Sequence, residues 1–216
     1  MQMAQAATSP HDAEAQAWQA TQVASLEHQR GRTVLARRTL ARALHSYPEY
    51  PPALALQADV QAAAGDLEGA EASLRAAVAV APAAAWHAQL GDVLAARGAR
   101  LDAERAWARA DAAYASDTPD AREHALFLSM RTRDLTRARS LAEQAARGST
   151  DIVTAEALAW TAFQQRDLDT ARRAIERALR TGSHLRRLRY HAAAILEATG
   201  DREAARAHAR VALAAP

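Results

Sequence analysis

At 216 residues and 50% hydrophobic, the chain has enough apolar material for a sizeable core, in one elongated domain or two small ones. The formal net charge is +2; every basic residue is Arg, and Lys, Asn and Cys are absent. This excludes disulfides, thiol nucleophiles, a phosphate-loop lysine and Schiff-base chemistry.

Ala at roughly one residue in four, against 5% aromatics, predicts an all-α protein whose core is filled by Ala, Leu and Val. Arg in place of Lys, with heavy Ala use, suggests a GC-rich genome and a bacterial source.

Along the chain, residues 1–8 read as a disordered N-terminus. "SPHD" (Ser9 to Asp12) then supplies an N-cap, a first-turn Pro and an acidic capping partner. From there a pattern recurs at a lag near 34, giving units at about 11–50, 51–83, 84–118, 119–150, 151–183 and 184–216 within one domain over 9–216. Taking Gly31, Gly65, Gly98, Arg133, Arg166 and Gly200 as origins, Ala stands five residues later in every unit, at Ala36, Ala70, Ala103, Ala138, Ala171 and Ala205. It stands there again twelve later, at Ala43, Ala77, Ala110, Ala145, Ala178 and Ala212.

A left-handed Gly ends a first helix, and the following Asp (Asp66, Asp134, Asp167, Asp201) caps a second. Leu168, Ala171, Ile175, Ala178 and Leu179 form one apolar stripe containing both Ala columns, where a larger side chain would hold the next helix away. Seven residues before each origin stand Ala24, Ala58, Gly91, Leu126, Ala159 and Ala193, mostly small, as a close helix crossing needs. Pro48 and Pro82 stop their second helices, and "SDTPD" (116–120) and "GSTD" (148–151) read as loops between units.

These features resemble the tetratricopeptide repeat (TPR) family, whose helix-turn-helix units carry a small residue in the first helix, two alanines in the second and a closing Pro. "AWHAQLGDVLAARG" (85–98) and residues 53–82 carry the likeness most fully, and it covers about residues 11–216. Arg133 and Arg166 depart from the turn Gly, the third to fifth units lack the Pro, and Gln57 and Gln61 replace apolar residues. The resemblance implies a right-handed α-solenoid of about six hairpins, with the first helices lining a concave groove that binds a protein or peptide. It does not extend to the chaperone-tail clamp of the family, since the matching places hold Ser25, Asp59, Asp92, Gln29, Ala63 and Ala96.

Nothing in the motifs points to catalysis, a cofactor, a metal or a small-molecule substrate. The eight His have no ligand spacing, and His184 and His191 lack a carboxylate companion at metal distance. "HLRRLRYH" (184–191) and "ARRAIERALR" (171–180) raise nucleic acid as an alternative. Glu176, one turn from Arg172, Arg173 and Arg180, favours an ion-paired surface instead. A regulatory part of a larger enzyme or assembly is a further alternative.

Removing the core positions of the fourth to sixth first-helices leaves a candidate partner-binding face. It comprises Phe127, Met130 and Arg131, then Trp160 and Phe163, then Arg187, Tyr190 and His191. Either these form a strip on the groove, or the helices are rotated and the aromatics fill the core; the second and third units offer Asp59 and Asp92 instead. Leu196, Val211 and Leu213 near the C-terminus raise self-association or partner coverage there. The start "MQMAQAATSP" and the absence of a long apolar run predict a cytoplasmic protein, or a periplasmic one that has lost a leader.

Overall fold

The computed structural model describes residues 10–116, 120–183 and 185–214, and the side chains of all of these except 10, 11 and 214. The expected disorder over 1–8, Ser9, residues 117–119 of the "SDTPD" loop and His184 lie outside the described residues.

All regular structure among the described residues is helical, in antiparallel pairs: α1 (Pro10–Gln29) with α2 (Thr33–Ser46), α3 (Pro51–Ala63) with α4 (Leu67–Val80), and α5 (Ala84–Ala96) with α6 (Arg100–Ser116). There follow α7 (Ala121–Met130) with α8 (Leu135–Gly148), α9 (Ile152–Gln164) with α10 (Leu168–Leu179), and α11 (Arg186–Ala198) with α12 (Arg202–Ala214). The chain divides into two compact units, the first closing at Ala110 and the second beginning at Asp111.

The turns follow from backbone chemistry. Gly31, Gly65, Gly98 and Gly200 have φ of 74°, 82°, 81° and 87°, the left-handed region open to glycine. After each, an amide reaches back five residues, as in Arg32 N–H to Glu27 O (2.8 Å) and Asp201 N–H to Leu196 O (2.9 Å), closing the first helix in a Schellman motif. Arg166 takes the same place with φ of 64°, and Asp167 N–H donates to Ala162 O at 2.9 Å. Asp66, Asp134, Asp167 and Asp201 accept from Gly69, Arg137, Thr170 and Ala204 N–H, so all four predicted caps form.

The fourth turn corrects the sequence register. Its left-handed residue is Thr132 (φ 53°), and Arg133 N–H closes the motif on Leu128 O at 2.8 Å. Arg133 is thus an extra residue between the left-handed Thr132 and the cap Asp134 (φ 34°) that precedes α8. The small residue seven before the turn is therefore Ala125, fully buried, and not Leu126. With that shift the first-helix column is small in every unit.

Close approach depends on these columns. Ala36, Ala70, Ala103, Ala138, Ala171 and Ala205 are all buried, as are Ala43, Ala77, Ala110, Ala178 and Ala212, while Ala145 is half-buried. At Gly91 an added Cβ would run into the Trp107 ring. Within the first unit, Leu40 and Val60 centre one cluster and Leu74, Leu90 and Leu94 another; in the second unit, Leu126, Trp160, Ile175, Leu188 and Ile195 share a single core.

Arginines close the seams between neighbouring hairpins. Arg139 reaches Asp167 at 3.0 Å and Arg172 reaches Asp201 at 3.2 Å, so one hairpin's second helix holds the next hairpin's cap. In the first unit buried Glu71 pairs with Arg75 and Arg97.

Candidate groove on the C-terminal hairpin

In the second unit, α11 packs on α9 and α10 through one helical face. Leu188 and Ile195 are fully buried there, and the neighbouring Arg187 and His191 meet a prepared partner. Glu156 of α9, 1% exposed, accepts from Arg187 Nε and Nη2, each at 3.0 Å, a bidentate fork. The Arg187 guanidinium also stands 3.7 Å from Glu123 of α7.

His191, 1% exposed, stacks on Trp160 with ring centroids 3.9 Å apart. Its Nδ1 lies 2.9 Å from Glu156 Oε1, out of line for a hydrogen bond, and neither Nε2 nor Trp160 Nε1 has a partner. Burial lowers the His191 pKa below the ordinary imidazole value, against the pull of Glu156. Burial by itself would raise the Glu156 carboxyl, but the adjoining His191 ring and the Arg187 fork outweigh it and hold the pKa below the usual range. The arrangement fastens α11 to α9 with a charge that neither helix could bury alone.

In front of this wall lies a groove of about 620 Å³. It is lined by Met130 of α7, by Arg186, Arg187, Tyr190, His191, Ala193 and Ala194 of α11, and by Ala209, Ala212 and Leu213 of α12. Met130 is 46% exposed, Tyr190 60% and Leu213 81%.

The face expected from sequence thus divides. Phe127, Trp160 and His191 are buried, and Phe163 is half-buried, 5.1 Å from the Trp160 ring. Arg131 lies half-buried over the Phe127 ring, 4.6 Å from its centroid, and donates to Phe127 O. Met130, Arg187, Tyr190 and His191 come together at the groove, whereas Phe127, Trp160 and Phe163 lie in or against the core. The one-residue shift at Thr132 is why subtraction put Phe127 outside: counted from the true turn, it faces inward, beside Tyr114 and His124. His124 is itself buried, with Nε2 2.7 Å from Asp111 Oδ1. The sequence reading passed over Ala194 and Ala209, whose smallness gives the groove its depth.

No family model matches the chain, and no curated protein matches it in sequence. Solved structures do match. A tetratricopeptide repeat protein from Parabacteroides merdae aligns with a TM-score of 0.58 over 96% of this chain and 80% of its own, at 15% identity. The fold is that of TPR proteins. The structure of Pseudomonas aeruginosa pilF aligns over 91% of this chain and 90% of its own (TM-score 0.53, 20% identity). PilW, a widely conserved type IV pilus biogenesis factor, does so over 89% and 90% (TM-score 0.53, 19% identity).

Other parts of the chain are less apolar. Asp59 and Asp92 are exposed, and Asp92 accepts from Trp107 Nε1 at 3.0 Å. Gln57 and Gln61, the departures from TPR apolar positions, line a smaller pocket of about 260 Å³ with Arg37 and Asp66 at its mouth. Arg172 pairs with Glu176 at 2.8 Å and Arg189 Nη1 meets His208 Nδ1 at 2.9 Å, so parts of the two Arg-rich segments are occupied internally. Among the described residues no three of His, Cys, Asp and Glu gather closely enough to ligate a metal, and no helix is long and apolar enough to cross a membrane.

Proposed function

We propose that the chain is a non-catalytic interaction module that holds a protein or peptide partner in the groove of its C-terminal hairpin. Met130, Arg187 and Tyr190 supply contact surface. Phe127, Trp160, Phe163 and His191 act from behind as the rigid wall, and Arg131 braces the end of α7.

The observation that carries this reading is the large apolar surface left at one place. Met130, Tyr190 and Leu213 stand exposed around the same cavity, where an aromatic of Tyr's size gains on the order of 150 Å² of burial when covered. The TPR fold adds a scaffold suited to such a role, and Arg172, Arg187 and Arg189 of the two Arg-rich segments are engaged within the protein, which favours a protein over a nucleic acid as partner.

Partner capture from source lysate with the intact chain and with Met130→Ala/Tyr190→Ala tests it. Both side chains are exposed, so the double variant is expected to keep its helical circular dichroism while losing about tenfold or more of partner recovery. Undiminished recovery by the folded variant would refute the assignment.

A further inference from the structure

The repeat provides its own template for what belongs in this groove. Positions 34 apart are equivalent in the last two hairpins, as Ala171 and Ala205 or Ala178 and Ala212 are. On the fifth hairpin these positions are covered by α11: Glu156 is 1% exposed, Trp160 6% and Ile175 fully buried. On the sixth, the same positions are Tyr190, Ala194 and Ala209, and they line the open groove, Tyr190 at 60% exposure. Among the described residues no helix covers here the face that receives one a repeat earlier.

Two differences define the occupant. Ala194 and Ala209 replace Trp160 and Ile175, so the side chains that fill the earlier interface from below are missing and the visitor must bring bulky apolar knobs. Arg186 lines the cavity, Arg206 and Arg210 are exposed within about two turns of Leu213 on α12, and the exposed Glu197 of α11 is engaged by Arg202 at 3.6 Å, so basic groups predominate beside the groove. We infer that the groove receives an amphipathic α-helix of a partner protein, laid on α11 and α12 as α11 lies on α9 and α10, with large apolar residues at i, i+4 and i+8 and acidic flanks. This rests on the interaction-module reading above and extends the interface between α11 and the fifth hairpin by one repeat.

The test uses the whole 216-residue chain and two fluorescein-labelled peptides of about 15 residues. One is an Ala/Glu helix with Leu at the knob positions; the other has the same composition with a central Pro, which cannot form the helix. In anisotropy titrations the helical peptide is expected to bind and the Pro peptide to bind about tenfold more weakly or worse. Ala194→Trp, which restores the missing floor, and Leu213→Glu, at a solvent-exposed site, should each weaken the helical peptide by a similar factor.

Equal binding of the two peptides would overturn the helix assignment and leave the interaction module standing. So would indifference of the helical peptide to both substitutions. Sedimentation showing a dimer that Leu213→Glu disperses would instead give the groove to a second copy of this chain. If no peptide binds and captured partners also ignore Met130→Ala/Tyr190→Ala, the interaction reading falls as well.

Discussion

His191 is an imidazole buried to 1% exposure in the second unit. It is sealed between Trp160 and Glu156, and burial disfavours its protonated form. An unfolded chain takes up a proton on this imidazole as pH falls through the ordinary imidazole value of 6.5, while the folded chain resists it until lower pH. Stability is therefore full above that range and declines below it. His87, lowered by burial and then by Arg109, and His208, lowered by burial and then by Arg189, add in the same direction. Glu156, whose carboxyl is lowered, adds a further loss only when pH falls through the carboxylate range. His191→Phe keeps a ring against Trp160 but takes up no proton. Its drop in Tm between about pH 7.5 and 5.5 should be smaller than that of the unsubstituted chain; equal drops would show that His191 is not the strained titrating group.

At the scale of the element, the helical hairpin is governed by its turn. Four turns use Gly, but Arg166 holds φ at 64° against the steric preference of an L residue, which costs roughly 1–2 kcal/mol. Arg166→Gly should relieve this and, after the entropy of an added glycine, raise stability by about 0.5–1 kcal/mol in denaturant titration; a lowered midpoint would contradict the turn assignment. The hairpins were legible from sequence because Ala columns, capping Asp and stopping Pro are local and periodic. The sequence register of the fourth unit is out by one residue because its turn has neither Gly nor a fixed length, and the positive φ of Thr132 with the Arg133 N–H to Leu128 O bond identifies its pivot. That slip carried Phe127 to the wrong face. Trp160 escaped for another reason: it is covered by the next hairpin, whose contacts are not written in the periodicity of α9.

For the whole molecule, the sequence offered Phe127, Met130, Arg131, Trp160, Phe163, Arg187, Tyr190 and His191 as one partner-binding face, and of these Met130, Arg187, Tyr190 and His191 line the same cavity. The depth of that groove depends on Ala194 and Ala209, unremarkable residues in an Ala-rich chain until they are set against Trp160 and Ile175 one repeat earlier. The basic rim was also hidden, since a net charge of +2 says nothing of how Arg186, Arg206 and Arg210 are placed. The most direct measurement is hydrogen exchange on the full chain, with and without saturating helical peptide. The account predicts added protection over α11 and α12 and at the end of α7 near Met130, with the small pocket at Arg37 and Gln61 unchanged. Protection confined to that first-unit pocket, with α11 and α12 exchanging as before, would contradict it.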